Sequence, residues 1–241
     1  MGHHHHHAPE DGGKLLVAVF VNLGLTVAQV VGGILAGSLA LIADAVHNLS
    51  DALSLIIAWA ARRIARRPAD ARMTFGYRRA EVVAALVNYT TLIIIGLYLL
   101  WEAVWRLFDP EPVTGWLMIA VAGVALVVDV VTALLTWRMA QTSMNIRAAF
   151  LHNLADAMGS IAVILAGLGV MAFGWAWIDS VMTLAIAGYI LWMAIGGVGP
   201  AIRILMLGAP DDMDTMEVVE ALRGVDGVAG VHRVRLWQVQ E

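Results

Sequence analysis

Six stretches of the chain are apolar almost without a break: residues 15–35, 38–61, 80–107, 115–136, 146–173 and 177–205. Each reaches or exceeds the roughly 20 residues that an α-helix needs to cross a ~30 Å hydrocarbon layer. Polar punctuation separates them. Gly37-Ser38 predicts a tight turn, Asp109-Pro110-Glu111-Pro112 breaks the chain before the fourth stretch, and Phe173-Gly174-Trp175 joins the fifth to the sixth. The first stretch is too long for the apolar core of a signal peptide, and no A-x-A-like site follows it, so it is expected to remain as a helix. Beyond the sixth the pattern changes. Residues 213–223 read as a short amphipathic helix, and 228–239 as one strand or a bent pair. The expected fold is all-α and integral to the membrane: a six-transmembrane-helix bundle over 14–207, with a short, incomplete α/β tail over 208–241. A tail of this size is below what usually folds alone, so it should pack on the membrane domain or on a second subunit. Residues 1–13, with His3 to His7 followed by Pro, Glu, Asp and Gly, have the composition of a disordered arm.

Composition supports the membrane reading. Of 241 residues, 60% are hydrophobic and 14% charged, against about half and about a quarter in a soluble domain. A net charge of −4 and the lack of a basic stripe on a soluble fold argue against a nucleic-acid partner. Arginines fall almost entirely on one side. Arg62, Arg63, Arg66, Arg67, Arg72, Arg78 and Arg79 lie between stretches two and three. Arg138 and Arg147 flank the next loop on that side, and Arg203, Arg223, Arg233 and Arg235 end or follow stretch six. Near the opposite face stands Arg106 alone, amid Trp101, Trp105, Trp116, Trp175 and Trp177. A positive inner face and an aromatic outer belt place both termini in the cytoplasm, in a multi-pass protein expected in a bacterial inner membrane.

The candidate chemistry lies inside two of these stretches. Without cysteine, metal binding must use His, Asp, Glu, carbonyls or water. His47 and Asp51, and again His152 and Asp156, stand four residues apart, on one face of a helix one turn apart. The local sequence repeats too: His47-Asn48-Leu49-Ser50-Asp51 beside His152-Asn153-Leu154-Ala155-Asp156. Ionisable groups at membrane depth are expensive and normally face the protein interior with a partner. Two imidazoles and two carboxylates make a four-coordinate set suited to tetrahedral Zn2+, whose charge the aspartates cancel. Cd2+, Co2+, Ni2+ and Fe2+ fit such ligands as well. Calcium and magnesium want more oxygens. Four converging ligands leave no open position for zinc hydrolysis, and no separate nucleophile is evident, so an enzyme is not expected. A free imidazole titrates near about 6.5, so protons compete with metal for such a site around neutral pH.

At these residues the sequence resembles the cation diffusion facilitator family. The run Ser38-Leu39-Ala40-Leu41-Ile42-Ala43-Asp44-Ala45-Val46-His47-Asn48-Leu49-Ser50-Asp51 is similar to that family's second-helix signature. Phe75-Gly76-Tyr77-Arg78-Arg79-Ala80-Glu81 resembles its third-helix entrance, and Arg147-Ala148-Ala149-Phe150-Leu151-His152 leads into its fifth-helix motif. The resemblance implies a six-helix homodimer that exports zinc or similar ions in exchange for protons, with His47, Asp51, His152 and Asp156 as transport ligands. The histidine in stretch two is similar to zinc-preferring members. A membrane metal-binding or sensing protein without turnover is the alternative. In the tail, Val231-His232-Arg233-Val234-Arg235-Leu236-Trp237 resembles a family strand, but Arg233 and Arg235 stand where Asp and His are expected, and the tail is short for a complete ferredoxin-like domain. Between stretches two and three, Asp70, Met73 and Tyr77 are weak candidate ligands.

Several residues keep more than one reading. Asp44 either orients the His47 imidazole or lines the access path. Asp129, deep in stretch four without an obvious partner in sequence, suggests a proton relay or support for the ligands. Asp179 reads as an N-terminal cap. Gly33 and Gly37, and the Ala155, Gly159, Ala162 set, suit either helix movement or static close packing. The histidine run is either a purification tag or a natural metal-capturing arm.

Overall fold

The computed structural model describes residues 12–140, 144–210 and 213–238, and within them leaves aside the side chains of 12–20, 54, 55, 58, 59, 62, 135, 136, 138–140, 144–149 and 152. The histidine run His3 to His7 lies outside the described residues. Among the described residues seven helices follow in order: α1 (Gly12–Ala36), α2 (Leu39–Ala65), α3 (Ala80–Phe108), α4 (Gly115–Ala140), α5 (Met144–Phe173), α6 (Trp177–Leu205) and α7 (Thr215–Arg223). The first six sit on the six apolar stretches. Among the described residues, Ala80–Phe108, Gly115–Leu134, Asn153–Phe173 and Trp177–Leu205 are long and apolar enough to cross a membrane, and Val21–Ala36 is a shorter apolar helix. Large apolar side chains point outward along them, among them Leu35, Ile94, Leu134 and Trp192, each at least 65% exposed. Such a surface suits lipid and not water. Hydroxyls on these helices donate back along the helix, Thr91 to the Val87 carbonyl and Thr132 to the Val128 carbonyl, so they present no free donor to lipid.

The chain forms two compact units, one from Met1–Ala52 and Ile95–Ile190, the other from Leu53–Ile94 and Leu191–Glu241. Alanine dominates the core of the first. Ala36, Ala40, Ala122 and Ala166 pack with Leu41, Met118 and Val163, which brings α1, α2, α4 and α5 together. Small side chains let helix backbones approach, the main source of packing energy where lipid is as apolar as the protein. α4 and α5 approach one another closely. A Cβ at Gly115 would lie 2.6 Å from the Gly167 carbonyl oxygen, and one at Gly167 would lie 2.8 Å from Ile119. Gly159, by contrast, faces open space. Ala43, Leu99 and Ala187 form a second cluster linking α2, α3 and α6. In the other unit, Val82, Ala201 and Ile204 join α3 to α6.

The tail departs from expectation. Its helix forms as α7, capped by Asp214, whose carboxylate accepts from the Met216 amide at 2.8 Å. The strand expected over 228–239 does not form among the described residues: 228–238 is irregular. Arg233 takes φ +54°, which breaks an extended run, and among the described residues no second strand stands beside it to pair its backbone. Instead the Gln238 amide donates to the Gly208 carbonyl at 3.0 Å, and Trp237 meets the Phe75 ring edge-on. The described tail is therefore helix and coil, not α/β.

Candidate metal site

The α1–α2 turn sets where the site lies along α2. Gly37 adopts φ +70°, a conformation that favours glycine, and the Ser38 amide donates to the Gly33 carbonyl at 2.9 Å. Asp179 does act as a cap, but for α2 and not for its own helix. From α6 it accepts from the Ser38 hydroxyl at 2.6 Å, the Leu39 amide at 2.8 Å and the Ala40 amide at 3.3 Å. Ser38 in turn accepts from the Leu41 amide at 3.2 Å. The first turn of α2 is thereby satisfied while buried, and the helix is pinned at a fixed depth.

Two turns further on, α2 presents a polar face. At about 100° per residue, Asp44, His47, Asn48 and Asp51 share roughly a third of the helix circumference. α1 takes one side of that face. Gln29, fully buried, donates through Nε2 to Asp44 Oδ2 and accepts from Asn48 Nδ2 at 2.9 Å. α5 takes the other. His47 Nε2 lies 3.4 Å from Asp156 Oδ1 and 3.7 Å from Asp51 Oδ2. His47 is buried and the aspartates are half-buried. One ligand atom from each of the three residues falls within 4.8 Å of the others. Both separations are longer than the 2.7–3.2 Å typical of N–H···O hydrogen bonds. They are close to the ~3.3 Å between ligand atoms that share a tetrahedral zinc with bonds of about 2.0–2.1 Å. Tyr189 of α6 walls the site, its ring edge-on to the imidazole at 5.8 Å.

Of the four candidate ligands, His47, Asp51 and Asp156 therefore come together. His152 lies on α5 one turn before Asp156, and its side chain is outside the described residues. Asp129 has a partner on α5: the Ser160 hydroxyl donates to its Oδ2 at 3.2 Å, and both residues are buried. Ser160 is itself one turn beyond Asp156, so a single line along α5 serves α2 and α4. Asp44 lies within electrostatic reach of His47, Asp129 and Asp156. Sequence reasoning passed over Gln29, Ser160 and Tyr189. Gln29 had a signal, a polar amide in the apolar run of α1. Tyr189 had none, because an aromatic residue in an apolar helix looks like any other.

The model of the cation efflux transmembrane domain matches residues 15–206. The chain belongs to the cation efflux family. This is the family that the α2 and α5 motifs resemble, a family of membrane transporters and not of enzymes. Among relatives of this family member, zinc transporter ZitB of Pectobacterium atrosepticum is 39% identical over 100% of this chain and 76% of its own length. The cadmium, cobalt and zinc/H(+)-K(+) antiporter of Bacillus velezensis is 35% identical, over 99% of this chain and 77% of that protein. The metal cation efflux system protein CzcD of Cupriavidus metallidurans is 35% identical over 98% and 75%. Outside the membrane helices, two of the weak ligand candidates of the α2–α3 connection, Asp70 and Tyr77, bond to each other. Asp70 accepts from the Tyr77 hydroxyl at 2.7 Å and from the Arg72 and Met73 amides at 2.8 Å each.

Proposed function

We propose that this efflux protein exports a divalent metal cation, zinc by preference, from the cytoplasm in exchange for protons. Cadmium, cobalt, nickel and iron(II) are the other candidate substrates. The ligands in this reading are His47, Asp51, His152 and Asp156, presented by α2 and α5 within a transport domain of residues 14–207. All six long helices span the membrane, both termini face the cytoplasm, and the working form is a homodimer. The observation that carries the reading is the convergence of His47, Asp51 and Asp156 across two helices of different sequence position.

The chemistry supports exchange. Two carboxylates neutralise the double charge of the ion, so a filled site can turn through low dielectric without a net charge. Imidazole accepts either a proton or a metal, and a site that faces each side in turn and takes one or the other is an antiporter by linkage. The relatives named for zinc, cadmium and cobalt transport, one of them an H(+)-K(+) antiporter, support the same substrates and coupling for this chain.

Zinc uptake into proteoliposomes under an imposed proton gradient tests the proposal. Wild type accumulates zinc, whereas Asp51→Ala and Asp156→Ala reconstitute normally and do not. Full uptake by both variants would overturn the ligand assignment. Saturable zinc binding with no gradient-driven uptake would instead indicate a metal-binding protein without turnover.

A further inference from the structure

Two cavities of opposite character adjoin in the α2–α3 connection. The larger, roughly 820 Å³, is lined by Arg66, Arg67 and Arg78, with Pro68, Phe75 and Glu81. Three guanidinium groups against one carboxylate leave it strongly basic. Arg66, Arg67 and Arg78 are exposed, and among the described residues none pairs with an acid. The smaller cavity, roughly 420 Å³, is an apolar cleft between the end of α2 and the start of α3, walled by Ile57, Ile64, Ala80 and Val83. Gly76 lines both, so the two lie side by side. Arg79 reaches into the cleft, and its Nε is buried there with no hydrogen-bond partner. A buried donor in that condition is costly and calls for an acceptor.

Their place along the chain matters. α3 begins at Ala80 and is apolar enough to cross a bilayer, so residues just before it sit at the headgroup layer. Phe75, 77% exposed at the rim, is the kind of side chain that beds into that layer. A single molecule that fits both cavities must carry an anionic, multiply accepting head on a hydrocarbon chain. Guanidinium groups match phosphate oxygens in geometry as well as charge.

We propose that the paired cavities bind one anionic phospholipid. Its headgroup phosphate is held by Arg66, Arg67 and Arg78, and one acyl chain lies in the cleft of Ile57, Ile64 and Val83. A phosphate oxygen at the junction supplies the acceptor that Arg79 Nε lacks. Topology alone requires arginines somewhere in this connection. It does not require three of them around a cavity that lies beside an apolar cleft. A diffuse basic surface would also treat every arginine of the connection alike, and here Arg63 and Arg72 do not line the basic cavity.

Native mass spectrometry of the purified full chain, titrated with phosphatidylglycerol or phosphatidylcholine, separates these cases. Wild type should retain phosphatidylglycerol in preference to phosphatidylcholine. Arg67→Gln/Arg78→Gln should weaken phosphatidylglycerol binding about 30-fold, since each basic side chain near an anionic headgroup contributes roughly fivefold. Arg63→Gln/Arg72→Gln removes the same charge and should leave binding as it was. Val83→Trp, which fills the cleft, should weaken the lipid and leave the binding of inorganic phosphate unchanged. Equal retention of both lipids by wild type, or equal losses in the two double variants, would overturn the proposal. Displacement of the lipid by inorganic phosphate, together with an inert Val83→Trp, would mark a free-anion site and overturn it too.

Discussion

Gln29 shows how much one side chain can govern in a membrane interior. Its amide donates to Asp44 and accepts from Asn48, so it fixes the rotation of α2 about the helix axis just where His47 begins the candidate site. Gln29→Leu is close in volume but leaves two buried polar groups without this partner, at about 1–3 kcal/mol each. It should lower the melting temperature in detergent and weaken zinc binding, measured by calorimetry; an unchanged zinc affinity would mean that Gln29 supports the fold alone. Asp70 makes the same point outside the membrane. The Tyr77 hydroxyl, and then the Met73 and Arg72 amides, hold its carboxyl below the usual range. A depressed folded value means that the turn is stabilised above the ordinary carboxylate pKa, and that this is lost as pH falls through the lowered one. Hydrogen exchange at the Arg72 and Met73 amides should therefore show protection that fades on acidification. In Asp70→Asn it should be weak at every pH. Such residue-scale links were only half legible. The spacing of His47 with Asp51 announced a shared face, whereas the reach of Gln29 across 15 positions to Asp44 depends on how α1 packs.

At the scale of elements, the six long helices were written plainly in the sequence, because long apolar runs bounded by turn residues have few other options. What could not be read was which helix caps which. Asp179 looked like the cap of α6 and serves α2 across 140 residues. Its carboxylate satisfies a hydroxyl and two amides in a buried place, so Asp179→Ala should destabilise the protein by about 2–4 kcal/mol, with Asp179→Asn recovering part of the loss. Thermal unfolding in detergent measures both. Gly115 is the matching case for packing. With the Gly167 carbonyl 2.6 Å from the position of a Cβ, Gly115→Ala must push α4 from α5, at about 1–3 kcal/mol, whereas Gly159→Ala meets open space and should be nearly neutral. The strand expected in the tail failed for a related reason. Alternation of side chains is local, but a strand needs a neighbour to pair with, and the positive φ at Arg233 takes the chain away from extension.

For the whole molecule, the question is whether the His47, Asp51 and Asp156 cluster is a structural knot or a site waiting for a cation, and stability measurements answer it. A ligand that binds the folded state alone adds RT ln(1 + [L]/Kd), about 2.7 kcal/mol at a hundredfold excess over Kd. Zinc should therefore raise the melting temperature of the wild-type protein, and magnesium, which demands an octahedral set of oxygens, should not. Acidification should shrink the zinc effect, because protons occupy the imidazole that the metal needs. The metal-free protein provides the sharper contrast. Asp51 and Asp156 both stand beside His47, so without a cation two like charges are held close together. Asp51→Asn or Asp156→Asn should then leave the metal-free protein as stable as wild type or more so, while abolishing the zinc-dependent rise. A structural knot would behave in the opposite way: either substitution would lower the melting temperature without metal, and zinc would do little to wild type or variant alike.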